Sequence, residues 1–209
     1  MESVARLTKG LERVLSRVPI SNVFFSYYYK DIVDEEIEIA KITNKDRVLC
    51  IGGGPIPATA LRIAKMTGAY VDVVDIDPMA IEYSKRFVKK IKMDDAINIF
   101  KGNGEKIDPN NYTVIHIARQ AQPHVEILKN ILHRSSVGTK ILLRSSKQCF
   151  QDIFDAIYET FANGSCHCIQ REICKKEDTL LFIKRGGDFE KIHPVFNCCT
   201  MYHSVNLAD

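Results

Sequence analysis

The sequence predicts an α/β fold: a mostly parallel, doubly wound sheet with an antiparallel edge strand, preceded by short N-terminal helices. Three observations lead there. From residue 47 short buried strands alternate with helical segments, as a parallel sheet covered on both faces requires. Right-handed crossovers between parallel strands then wind the sheet doubly. The 209 residues are 45% hydrophobic and 26% charged, an ordinary globular mix, long enough to bury a core without disulfides.

The same numbers exclude other classes. Extended disorder and collagen-like repeats do not fit this composition. The net charge of +3 comes from 29 basic and 26 acidic residues scattered along the chain, so no nucleic-acid footprint is expected. No apolar run reaches the roughly 18 residues of a membrane span, and the first residues lack the apolar stretch of a secretory signal. The 7 cysteines are then expected to be reduced thiols in a cytoplasmic protein.

Element by element, Val4, Leu7, Leu11, Val14, Leu15 and Val18 recur at helical steps until Pro19 ends the pattern. This cationic, amphipathic stretch reads as a packed helix; Glu2 and Glu12 argue against a membrane role. An aromatic cluster follows (Phe24, Phe25, Tyr27, Tyr28, Tyr29). A second helical pattern then carries Ile32, Val33, Ile37 and Ala40 on one face and Asp34, Glu35, Glu36 and Glu38 on the rest. Strands are predicted at Arg47–Ile51, Tyr70–Ile76, Ile97–Phe100, Thr113–Ile117 and Thr139–Leu143. Helices lie between them at Thr59–Lys65, around Met79, Tyr83, Phe87 and Ile91, and at Val125–His133. Phe150, Phe154, Ile157, Tyr158 and Phe161 mark another helix. Cys166–Cys174 and Thr179–Lys184 read as a closing hairpin. The chain thus divides into a helical segment (1–46), an α/β domain (47–185) and a tail without periodicity (186–209).

The strongest chemical signal is Gly52-Gly53-Gly54-Pro55-Ile56-Pro57, directly after the first strand and before a helix. An open α/β sheet binds nucleotide-like ligands there. A dinucleotide fingerprint wants a third glycine where Pro57 stands, and pyrophosphate needs backbone N–H groups that Pro55 and Pro57 lack. S-adenosylmethionine carries no phosphate, so the prolines favour it over NAD; the strand, the helix and the next motif falling in place argue against a mere tight turn. Asp75 ends the second strand about twenty residues on, where an acid accepts hydrogen bonds from ribose hydroxyls. Ile76 is placed to flank the adenine. Asp77 before Pro78 reads as a helix N-cap. Asn103, in Gly102-Asn103-Gly104-Glu105, either meets the adenine amino group or belongs to a glycine turn. Ala118, Arg119 and Gln120 follow the fourth strand. Ala118 borders the ligand, and Arg119 holds a substrate carboxylate or is an exposed strand-end charge.

Gly52-Gly53-Gly54-Pro55-x-Pro57-x-Thr59 with the acid-ended second strand resembles the core of nicotianamine synthases, especially the archaeal form. The resemblance runs over residues 20–150, through Tyr112–Ala118 and Lys140–Ser146. It implies the Rossmann-like class I methyltransferase fold. It also implies S-adenosylmethionine as substrate and transfer of its 3-amino-3-carboxypropyl arm to a small amine or amino acid, leaving methylthioadenosine. The sulfonium carries three open carbons, so the placing of the nucleophile selects which one reacts. By resemblance Arg144 binds a substrate carboxylate. The family has a catalytic tyrosine and glutamate in its N-terminal part, for which Tyr28 and Glu35 are the nearest candidates; core packing and a solvated helix face are their plainer readings. The family also carries a longer N-terminal domain, whereas 46 residues precede the first strand here. A single transfer, a partner acting as lid, or plain methylation is then expected instead of repeated condensation. A non-catalytic S-adenosylmethionine-binding module is a further alternative, and a homodimer is compatible with all of these.

Cys166, His167, Cys168, Cys174, Cys198 and Cys199 lack the usual spacing of structural zinc sites. Cys166 and Cys168 share one strand face while His167 points away, so buried thiols rather than a metal centre are expected.

Overall fold

Val48 to Ile51 form a continuous buried run, and β1 (Arg47–Ile51) is an interior strand of the sheet. The computed structural model describes residues 21–146, 152, 153, 155, 169–173 and 179–184, and side-chain surroundings within these except for 21–29 and 169–173. The expected first helix, most of the helix over 150–161, the tail and all cysteines but Cys50 lie outside them. Asp152, Ile153 and Asp155 are helical, as that pattern requires.

After β1 come β2 (Tyr70–Asp75), β3 (Ile97–Lys101), β4 (Val114–Ile117), β5 (Lys140–Arg144), β6 (Ile169–Ile173) and β7 (Thr179–Lys184). Their order in the sheet is β3-β2-β1-β4-β5-β7-β6. β1 through β5 pair in parallel, whereas β7 pairs antiparallel with both β5 and β6. The closing hairpin therefore supplies the antiparallel element at that edge, with β7 as its inner strand.

Helix α1 (Ser21–Ile39) takes the aromatic cluster into its first turns. No proline or glycine interrupts residues 21–39, so nothing breaks the helix ahead of the acidic stretch. α2 (Ala58–Thr67), α3 (Pro78–Lys90) and α4 (His124–Arg134) fall where the periodicity placed them. Asp77 caps α3 by accepting the Met79 N–H at 2.9 Å, with Pro78 in the first turn.

The two sheet faces carry separate cores. Val48, Cys50, Val71, Val73, Val114 and Leu142 face α1, α2 and α3, meeting Val33, Ala60, Ile63 and Val88. Leu49, Ile51, Ile115, Ile117, Ile141 and Leu143 face α4, meeting Ile127, Leu128 and Ile131. Strand alternation explains this division. Among the described residues no helix is long and apolar enough to cross a membrane.

Candidate functional site

The chain runs from β1 outward to β2 and β3, then returns to lay β4 on the other side of β1. Ligands of open α/β sheets bind at the carboxyl ends of the strands beside such a reversal. A cavity of about 40 Å³ lies there, lined by Cys50, Gly52, Thr59, His116, Gln120 and Arg144 among others. It opens beside the glycine loop.

That loop is shaped by what it touches. Gly52 has φ +82°, and a Cβ on it would meet the Ala121 methyl at 2.8 Å. A Cβ on Gly53 would lie 2.1 Å from Val73 Cγ1, a side chain fully buried in β2. Gly53→Ala should therefore displace the loop and cost about 1–3 kcal/mol as an overpacked site. Urea unfolding with S-adenosylmethionine titration on the same sample checks this; unchanged stability would refute the close approach.

Four N–H groups of the loop turn inward. Gly52 and Gly53 donate to Val74 O at 2.8 and 3.4 Å, Ala58 donates to Ile56 O at 2.9 Å, and Gly54 donates to Asp75 Oδ2 at 2.8 Å. Pro55 and Pro57 have no N–H to give. The three glycine amides and the two prolines thus offer no outward donors of the kind a pyrophosphate needs.

Asp75 ends β2 partly exposed. Oδ2 accepts Gly54 N–H and Oδ1 accepts Asp77 N–H at 2.9 Å. Each carboxylate oxygen has a further lone pair, so the acid is oriented by the backbone and still able to accept from a diol. Ile76 beside it is 63% exposed. Asn103 is engaged in its own turn: Oδ1 accepts Glu105 N–H at 2.9 Å. Ala118 lines the cavity, and its N–H holds Ile51 O at 3.0 Å. Arg119 is exposed and outside the cavity lining; Gln120 takes that edge, its Nε2 3.4 Å from Gly52 O.

Arg144 lines the cavity as the resemblance implies, but its guanidinium is already engaged. Nε and Nη2 donate to Glu36 Oε1 and Oε2 at 2.7 and 2.6 Å, and Nη1 donates to Thr59 Oγ1 at 3.2 Å. Thr179 Oγ1 also donates to Glu36 Oε1 at 3.0 Å. A substrate carboxylate would have to compete with this bidentate pair. The α1 acid that holds Arg144 is therefore Glu36, fully buried behind the cavity lining. Its neighbour Glu35 is only half-buried and does not line the cavity. The Tyr28 side chain lies outside the described residues.

Burial alone would raise the Glu36 carboxyl, but the His116 ring beside it and the charge and hydrogen bonds of Arg144 outweigh it and hold the group at about 2. His116 is pushed below its ordinary value by burial, which, with the Arg144 charge, exceeds the opposing pull of Glu36. Arg144 is then the cation that keeps Glu36 ionised at neutral pH. Asp34 binds Arg62 of α2 through two contacts of 2.7 Å, so α1 is tied to both α2 and β5. The Asp34–Arg62 pair is part-exposed and contributes little.

Glu36 and His116 are site residues that the sequence reading passed over, and Thr59 and Gln120 were given no role there. The signals were weak but present. Glu36 alone among the four acids of its run stands three residues after Val33 and four before Ala40, on the buried helix face. His116 is the one polar residue of an otherwise apolar strand, in phase with Val114.

Comparison with known proteins bears on the architecture. The family model for the spermine/spermidine synthase domain matches residues 27–107, and no curated protein sequence matches the chain. Among solved structures, the chain is similar to MtNAS, a nicotianamine synthase, in complex with S-adenosylmethionine (TM-score 0.64, 20% identity, 87% of this chain and 72% of that one). It is also similar to an RNA methyltransferase from Salinibacter ruber in complex with S-adenosyl-L-homocysteine (0.56, 16%, 78% and 97%). A Methanococcus maripaludis protein described as an S-adenosyl-L-methionine-dependent methyltransferase is a third (0.66, 15%, 90% and 94%). Identities this low speak to architecture alone. The chain has the Rossmann-like class I methyltransferase fold, the fold of S-adenosylmethionine-dependent transferases.

Proposed function

We propose that the chain is an S-adenosylmethionine-dependent transferase acting on a small amine or amino acid, and that it transfers the 3-amino-3-carboxypropyl arm. The observation that carries the choice of ligand is the glycine–proline loop. Its glycine amides are spent on Val74 and Asp75, which suits a ribose diol and a sulfonium better than phosphates. Asp75 takes the diol, and the exposed Ile76 provides the apolar surface on which adenine lies. Ala118 borders the nucleoside, with Asn103 near its base.

The choice of arm draws on two likenesses. A spermine/spermidine synthase domain and a nicotianamine synthase are both named for amine products. In such a transfer the acceptor's nitrogen attacks the arm's carbon next to sulfur. The carbon–sulfur bond breaks, its electron pair stays on sulfur, and methylthioadenosine is released. The likeness to two methyltransferases favours a second reading, methyl transfer, in which S-adenosylhomocysteine is released instead.

Mass spectrometry separates the two readings. The full chain is incubated with S-adenosylmethionine alone, and with added glutamate or 1,3-diaminopropane. Enzyme-dependent methylthioadenosine is expected. S-adenosylhomocysteine would replace this reading with the methyl one, and tight binding without either product would make the chain a binding module.

A further inference from the structure

The floor of the cleft holds a side chain that the adenosine site does not account for. His116 is 1% exposed and lines the cavity, yet neither ring nitrogen is hydrogen-bonded. Its Nε2 lies 3.5 Å from Glu36 Oε2, outside hydrogen-bond geometry. Buried polar groups are nearly always hydrogen-bonded. An aliphatic side chain would fill this position more cheaply, as Val114 and Ile117 do in the same strand.

The groups facing the imidazole are fixed in charge. Glu36 from α1 is a carboxylate clamped by Arg144 of β5. Cys50 of β1 has its thiol pushed up to about 12 by burial, so it stays neutral. Thr59 of α2 is occupied by Arg144. His116 is the one group of this cluster able to change its protonation near neutral pH. Burial keeps it unprotonated and ready to accept.

We infer that His116 is the proton acceptor of the transfer. This rests on the transferase reading above. As the acceptor nitrogen bonds to carbon, the carbon–sulfur bond breaks and its pair of electrons goes to sulfur, giving a neutral thioether. The N–H proton passes to the imidazole, directly or through one water in the 40 Å³ cavity. The positive charge thus moves from the sulfonium to an imidazolium beside the Glu36 carboxylate, whose charge stabilises it. The proton returns to solvent after the product leaves.

The test is turnover against pH for the full chain, with S-adenosylmethionine as donor and glutamate or 1,3-diaminopropane as acceptor. Wild-type kcat should fall tenfold per pH unit below the imidazole's titration. His116→Asn should lower kcat by about 10²–10⁴-fold and remove that acid limb, while the Kd for S-adenosylhomocysteine stays within twofold. A variant within threefold of wild type that keeps the acid limb overturns the role and leaves the transferase reading standing. Absence of any thioether product from the wild type overturns the transferase reading, and this role with it. Should the variant not fold, the wild-type protein decides: the His116 ring-proton resonance must titrate together with the acid limb, and a ring that does not titrate there overturns the proposal.

Discussion

Arg144→Met is expected to destabilise the protein by about 3–5 kcal/mol, because it strands Glu36, 0% exposed, without its cation. For a domain of this size that is roughly 2–4 °C of melting temperature per kcal/mol. Urea unfolding at pH 7 measures it. The pH dependence gives the cause a signature. In the wild type the Glu36 carboxyl is held at about 2, below its ordinary 4.5. Its contribution is therefore full above pH about 4.5 and is lost as pH falls toward 2. Without Arg144 only His116 opposes burial, so the carboxyl should rise and the variant should regain stability as the pH drops and the Glu36–His116 pair takes up a proton. Glu36→Gln combined with Arg144→Met should lose much less than Arg144→Met alone. A single variant as stable as wild type would mean that the pair does not anchor α1.

Asp75→Ala should weaken binding of S-adenosylmethionine by about 1.5–3 kcal/mol, the range for hydrogen bonds to a charged group, or roughly 10–150-fold in Kd. The acid also orients its own surroundings, since it accepts from Gly54 and Asp77. Asp75→Asn keeps one acceptor oxygen and should fall between wild type and alanine. Calorimetry at fixed salt checks the order. Equal affinity in all three would show that the diol is held elsewhere. These two substitutions act on different quantities: the first on stability through α1 and β5, the second on affinity through the loop and β2.

Most of the frame around the cleft was readable along the chain. β1 and β7 have the bounds predicted for them, and, among the described residues, β2 to β5 and the three helices between β1 and β5 shift by only a few residues. Strand and helix periods depend on neighbours a few residues apart. The Asp77 cap and the glycine–proline loop are equally local, because they follow from which residues can donate an N–H and which can turn tightly. Asp75 was readable because the end of β2 must face the loop that ends the adjacent strand.

The floor of the cleft is a different case. Glu36 and Arg144 stand 108 positions apart, and Glu36 and Thr179 stand 143 apart. Helical phase puts Glu36 on the packed face of α1, but it does not say which strand that face will meet. Strand phase points His116 and Arg144 to the same side, but it does not say that an acid will wait there. A buried charge is tolerated where a partner arrives with matching geometry, and that match exists after α1 has docked across the ends of β4 and β5. Local chemistry along the chain thus marked out the glycine-loop end of the cleft, while the ionic end came from long-range packing.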